Sequence, residues 1–351
     1  MTVRRVGNKV PPPVVNLRTL AEYVGLSQTT VSLVLNNSPA SRSIPESTRQ
    51  RIRDAARELD YKPNYFARSL RSSRSQAIGI LTPDLSEGYF TLVMNGVQEE
   101  LLKAHYFYLT ACHYWQKEWM VKYPDLLGDR SVDGLLMLNT NTPIAVASPV
   151  VAISSHLQQS GVTNLSLDHE RAAYLALEHL HSLGHRSVAF MRGPSLIPDS
   201  EFRWQGIQKA AAMLGLKIVA ERVIALDGAA FSPETGFQKT HELLSRRRDF
   251  TALFCFNDVT AMGALRAIEA CGLRVPEDVS VIGFDDVISA SYIRPSLTTV
   301  RQPLHEMGRR GAEILLERIR NPQAEFPSAE IFAPQLLIRQ SSGKAAAKRR
   351  R

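Results

Sequence analysis

The chain has 351 residues, 44% hydrophobic and 22% charged, which suits a globular protein of two or three compact units. Its three cysteines, Cys112, Cys255 and Cys271, are scattered and odd in number, which argues against a disulfide framework and for a reducing compartment. The formal charge of +8 is unevenly placed. Residues 1–75 hold 13 Lys+Arg against 5 Asp+Glu, and the rest of the chain holds 29 of each. A basic first fifth on a neutral body is the footprint of a nucleic-acid-binding head.

Residues 1–15 are proline-rich and basic and read as a flexible arm. They contain no apolar run, so neither signal peptide nor membrane span is expected, and the protein is placed in the cytoplasm. Asn16 can cap a helix that starts at Leu17. From Leu20 to Asn36 the chain reads LAEYVGLSQTTVSLVLN. Ala21 and Val24 keep helical spacing, Gly25 permits a tight turn, and Ser27 can cap a second helix with Val31 and Leu35 on one face. Two short helices about a glycine turn make a helix-turn-helix, whose second helix enters the DNA major groove. The alternative, two core helices of an all-α domain, leaves the coincident positive charge unexplained. Pro45 opens a third helix in which Ile52, Ala55, Ala56 and Leu59 are spaced to pack on the first two. That helix ends by Tyr61-Lys62-Pro63, and residues 16–63 form the head.

Residues 64–75, NYFARSLRSSRS, hold a helical turn or two at most. So short a helix is not stable alone in water. The stretch is either a linker or a hinge helix that orders on DNA, with Leu70 as an apolar wedge in the minor groove.

From Ala77 strands and helices alternate. Strands are expected at AIGILTPDL, HYFYLTAC, VDGLLMLN, VVAIS, SVAFMRGP, ERVIALDG, TALFCFND and VSVIGFDD. Helices are expected at 90–104, 117–128, 169–183, 200–214, 233–247 and 259–271. This specifies an α/β core of doubly wound parallel sheets. The strands are too many for one sheet, so two lobes with a cleft are expected, and ligands bind beyond the carboxyl ends of such strands.

In order along the chain, AEYVGLSQTTVSLVLN, YKPN-x-x-ARSL, IGILTPDL, VDGLLML, EHLHSLGHRSVAF, FNDVTAMGALRAI, and DVSVIGFDD followed by PSLTTVRQP resemble the lactose-repressor (LacI/GalR) family of bacterial transcriptional regulators. The resemblance spans about Asn16 to Gln340. It implies a homodimer with a helix-turn-helix head, a hinge helix and a core like that of periplasmic sugar-binding proteins. The core would cover 76–340, with lobe 1 at about 76–165 and 291–322 and lobe 2 at about 166–290 and 323–340. Leu304 to Arg320 would return as a helix to lobe 1. Residues 341–351 would be a basic disordered tail, with no leucine heptad for tetramerisation.

Carried over by position, Gln28 and Thr29 would face base edges, with Thr30 and Ser32 nearer phosphates. Asn16, Ser27 and Asn36 complete the helix-turn-helix contact set, and Asn64, Ala67 and Leu70 that of the hinge. Where the family often has an arginine that grips guanine, this chain has Leu33, which would either touch a thymine methyl or face away. For the effector, the resemblance implies Tyr89, Phe90, Arg203, Phe231, Asn257, Asp258 and Asp285. An arginine and carboxylates on a polyol give directional hydrogen bonds, and an aromatic ring covers a sugar's apolar face. Each also has a structural reading: Asp285 as a loop cap, Phe90 as core. A sugar or sugar derivative is the expected ligand and a purine-like one the alternative, since Ile197 stands where a purine reader needs a polar grip.

No nucleophile elbow, zincin or Walker sequence occurs, and no cofactor is expected. His179, His181 and His185 read as helix-end histidines rather than as a metal site. The leading function is an operator-binding repressor switched by a small ligand. A solute receptor without DNA function is the alternative.

Overall fold

A computed structural model describes residues 15–62, 74–85, 88–228 and 232–345. The hinge positions Asn64, Ala67 and Leu70, and Phe231 of the effector set, lie outside these residues. The chain divides at Ser75–Gln76 into two compact units.

The first unit holds three helices: α1 (Leu17–Val24), α2 (Gln28–Leu35) and α3 (Glu46–Glu58). The Asn16 side chain accepts from the backbone N–H of Arg18 and Thr19, and Gly25 closes α1 in the left-handed region at φ 67°. Ser27 caps α2 by accepting from Thr30 N–H. Leu20, Ala21, Val31, Val34, Ile52 and Ala55 form the buried core where the three helices meet. Each helix contributes two buried apolar residues, with Leu17, Val24, Leu35 and Ala56 packed around them, so packing rather than propensity holds them.

The second unit contains two six-stranded sheets. The strands are β1 (Ala77–Thr82), β2 (Phe107–Cys112), β3 (Gly134–Leu138), β4 (Val150–Ile153), β5 (Thr163–Leu167), β6 (Val188–Arg192), β7 (Val223–Ala225), β8 (Ala252–Phe254), β9 (Ser280–Asp285), β10 (Thr298–Arg301), β11 (Ala329–Phe332) and β12 (Gln335–Leu337). The first sheet runs β11-β5-β4-β3-β1-β2 and is parallel throughout. The second runs β12-β10-β9-β8-β6-β7, with only β12 antiparallel. The helices are α4 (Gly88–Lys103), α5 (Lys117–Gly128), α6 (His169–Ser182), α7 (Pro198–Met213), α8 (Pro233–Arg246), α9 (Asp258–Ala270) and α10 (Leu304–Arg320). Residues of α4 and α10 share a core with one face of the first sheet, and Leu127 of α5 packs on the other. Residues of α6 and α7 pack on one face of the second sheet, and those of α8 and α9 on the other.

In each lobe one helix pair crosses at glycines on both helices. A Cβ on Gly96 would stand 1.9 Å from His305 O, and one on Gly308 2.0 Å from Val93 O, so α4 and α10 touch backbone to backbone. In the second lobe Gly263 and Gly236 do the same for α9 and α8, with Cβ positions 1.9 Å from Pro233 O and 2.2 Å from Thr260 O.

The lobe boundaries differ from expectation. Residues 298–301 form β10 of the second sheet, not part of lobe 1, and 329–332 form β11 of the first sheet, not part of lobe 2. The chain therefore crosses between lobes after β5, between β10 and α10, and between β11 and β12. Four strands, β5, β10, β11 and β12, were not anticipated. Three of them have four residues or fewer, and β11 and β12 sit at sheet edges where no long apolar run is needed.

The expected disordered tail also begins too early. Ser341 is fully buried: its Oγ donates to Val281 O and accepts from Thr298 N–H, and its carbonyl accepts from Val281 N–H. His179 bonds Ser342 Oγ and His185 bonds Gly343 O, so two of the helix-end histidines fasten residues 341–345 to the second lobe.

Candidate ligand cleft and DNA-reading surface

In the head, Gln28 and Thr29 occupy the first turn of α2 and are exposed, where a recognition helix meets base edges. Thr30 is half-buried, with its hydroxyl 2.9 Å from Ser27 Oγ. Asn16 and Ser27 are the two helix caps, so their side-chain oxygens already hold backbone N–H groups. Ser32 does not lie on the exposed row. It is buried, and its Oγ accepts from Asn36 Nδ2 at 3.1 Å. Leu33 is half-buried and does not join the head's apolar core.

In the second unit a small interlobe cavity lies where strands of both sheets end. Tyr89 and Phe90 reach it from α4 after β1, Trp115 from the turn after β2, and Asn139 from the end of β3. Asp199 and Arg203 reach it from α7 after β6, Phe256 and Asn257 after β8, and Asp285 from the end of β9. Each wall residue thus follows the carboxyl end of a parallel strand, as doubly wound sheets require. Trp115, Asn139 and Asp285 have φ of 60°, 47° and 112°, a region that non-glycine residues avoid. Such strain persists where surrounding packing holds it, and it gathers at binding sites.

Of the seven effector residues expected, the cavity joins Tyr89, Phe90, Arg203, Asn257 and Asp285. Asp258 is a correction. It is fully buried, accepting from Thr299 Oγ1 and Val287 N–H, and burial together with the Asp285 charge pushes its carboxyl well above the usual range. It therefore ties β10 and the loop after β9 to α9. Sequence reasoning missed Trp115, Asn139, Asp199 and Phe256 as cavity walls. Their place just past strand ends was the signal available.

The cavity is polar on an apolar frame. Arg203 is buried; its Nη1 donates to Phe256 O, while its Nε has no hydrogen-bond partner. Burial lowers the Arg203 pKa, and the Asp285 and Asp199 charges oppose that fall. Asn139 Oδ1 is likewise buried without a partner. Unpaired buried polar atoms facing a cavity cost free energy until a ligand pairs them. Burial drives the Tyr89 phenol far above its ordinary range, so it stays protonated, and it lies 2.8 Å from Ser154 Oγ. Asp285 Oδ1 accepts from Gln302 Nε2 at 2.6 Å, in the second interlobe crossing. Burial alone would raise Asp199, but the neighbouring imidazoles of His169 and His156 hold it well below the carboxylate range.

Residues 16–64 match the model of the bacterial regulatory proteins of the lacI family, and residues 177–342 match a periplasmic binding protein-like domain. The HTH-type transcriptional repressor PurR of Photorhabdus laumondii is 32% identical over 334 residues, which cover 93% of this chain and 96% of that one. PurR of Haemophilus influenzae is also 32% identical, with 98% of its length covered. Among solved structures, the lac repressor dimer bound to operator and the anti-inducer ONPF aligns with a TM-score of 0.82 at 26% identity, over 94% of this chain and 99% of that one. The transcriptional regulator CelR in complex with cellobiose aligns at 0.70 and 27% identity, over 93% of this chain and 100% of that one. A matched DNA-binding head on a matched ligand-binding core sets aside a solute receptor without DNA function. The chain belongs to the LacI family of bacterial transcriptional regulators, a DNA-binding repressor with a ligand-binding core.

Proposed function

We propose that this repressor acts as a cytoplasmic homodimer that reads operator DNA with Gln28 and Thr29 of α2 and is switched by a sugar or sugar derivative between its lobes. The carrying observation is the cavity's composition. Arg203 and Asn139 offer unpaired polar atoms beside Asp285, and Trp115, Phe256 and Tyr89 supply aromatic walls. That mixture suits a polyol ring with one apolar face. Ile197 adds an apolar wall where a planar base needs hydrogen bonds on its edge. A structural relative from Enterococcus faecium, 28% identical with a TM-score of 0.67, holds ribose.

A second copy fits the free edge of the first sheet. Phe107, Leu109 and Tyr114 on and after β2 are exposed, beside an apolar groove that also includes Tyr123 and Leu126. Pairing two such edges would bury apolar surface. The ligand can shift operator affinity only by its differential affinity for the two lobe arrangements. Among the described residues no helix is long and apolar enough to cross a membrane.

The test is thermal shift of the full chain against a panel of monosaccharides, sugar phosphates and nucleobases, followed by gel shift on the promoter region beside its own gene. Stabilisation by a sugar, absent in Arg203→Ala, with a matching change in operator affinity is the expected result. Stabilisation by nucleobases alone overturns the sugar reading.

A further inference from the structure

We propose that His156, His169 and Asp199 form a divalent transition-metal site that fastens the two lobes together at the rim of the cleft. The three side chains each offer one ligand atom, and these atoms all lie within 4.8 Å of one another. His156 follows β4 of the first sheet, whereas His169 opens α6 and Asp199 lies in the first turn of α7, both on the second sheet. His156 Nε2 lies 2.6 Å from Asp199 Oδ1, and His169 Nε2 lies 3.2 Å from the same oxygen.

His169 points to a ligand most directly. It is more than nine-tenths buried; its Nε2 stands 3.2 Å from Asp199 Oδ1, and its Nδ1 has no hydrogen-bond partner among the described residues. Three ligands held tetrahedrally at about 2.1 Å from an ion stand about 3.4 Å apart, a value inside the observed spread of separations. Small movements of the rings would therefore admit an ion. The rings are already oriented: His156 stacks on Phe202 at 4.0 Å and 21°, and His169 lies near-parallel to Phe284 at 6.3 Å.

The donor set selects the metal. Two imidazoles and one carboxylate suit Zn²⁺, Co²⁺ or Ni²⁺, whereas Mg²⁺ and Ca²⁺ take oxygen ligands. The surrounding charge also favours a cation, because the carboxylates of Asp199 and Asp285 both line the cavity. Asp199 is shared with the cavity wall. His156 and the other two ligands come from different lobes, so the ion would bind most tightly the lobe arrangement that holds them together and would favour it over any that parts them. The site stands on its own geometry, whichever small molecule the cleft takes.

The test uses the full chain without an affinity tag, stripped with a chelator and dialysed. Co²⁺ is titrated and its visible d–d absorption followed, then displaced by Zn²⁺ in competition. One ion per chain is expected, with Zn²⁺ raising the melting temperature, reversal by chelator, and no effect of Mg²⁺. His156→Gln and His169→Gln should each weaken Co²⁺ binding about 100-fold or more. His156 is at the rim and His169 in the core, so the first variant serves if the second does not fold. Its metal-free melting temperature is measured alongside the parent's, so that the loss of the Zn²⁺ increment is read separately from the loss of the His156–Asp199 bond. Absence of Co²⁺ bands in the parent, or equal binding in the parent and the His156→Gln variant, overturns the site.

Discussion

The guanidinium carbon of Arg203 lies 3.6 Å from the centroid of the Phe284 ring and 4.8 Å from that of Phe256. A cation held against aromatic faces away from water gains about 2 kcal/mol, and the flat guanidinium keeps one orientation toward the cavity. Lysine keeps the charge and loses the plane. Arg203→Lys should therefore weaken binding of the ligand found by the thermal-shift panel about 10–100-fold, the order of one or two lost charged hydrogen bonds. Calorimetric titration checks this, and an unchanged affinity removes Arg203 from the site.

Operator reading should depend on the exposed first turn of α2. Gln28→Ala or Thr29→Ala should cost about 1–3 kcal/mol on the cognate operator and little on random DNA. Equal losses on both, in a salt-controlled gel shift, would reduce these residues to phosphate contacts.

The glycine crossings make a sharper stability test than any single core side chain. Gly308→Ala places a methyl 2.0 Å from Val93 O, and Gly263→Ala places one 1.9 Å from Pro233 O. Neither neighbour is a side chain that can turn away, so the helices must separate. Each variant should lose about 1–3 kcal/mol, the ordinary cost of overpacking, or more. Gly128→Ala, at a position with nothing within 4 Å, is the control and should leave denaturant unfolding unchanged.

Acid lability should trace in part to His113. Its Nδ1 accepts from Trp115 N–H, and its Nε2 lies 2.9 Å from Thr140 Oγ1, whose hydroxyl bonds Leu138 O. That network requires the neutral ring, and burial lowers its pKa from 6.5 to about 4. Below pH 6.5 the unfolded chain takes up a proton that the folded chain refuses. The contribution is complete above that value and falls as pH drops toward 4, by roughly 3 kcal/mol in all. Unfolding free energy measured between pH 7 and 4 should fall less steeply in His113→Gln. Equal slopes would show that His113 carries none of it.

Much of this protein was legible in the sequence because the signals are local. Asn16, Gly25 and Ser27 act on their own helix ends, and the turn they build depends on neighbours within four residues. The long buried strands β1, β3 and β9 announced themselves as apolar runs bounded by turns. The alternation of strand and helix then specified doubly wound sheets, and the carboxyl ends of the strands marked where a cavity would lie.

Tertiary structure alone decided the rest, because it depends on which distant segments meet. Whether 298–301 and 329–332 join one sheet or the other cannot be read from four residues; it is set by the register that pairs them with β9 and β5. Asp258 and Asp285 look alike as carboxylates after a strand. Thr299, 41 residues away, takes the first out of the cavity, while Gln302 bonds the second and leaves it on the wall. His156, His169 and Asp199 are unremarkable in sequence, separated by 13 and 30 positions, and only the crossing of the chain between lobes sets their ligand atoms within 4.8 Å. Local chemistry chooses the elements. Burial and pairing between remote segments choose which of their polar groups face the ligand.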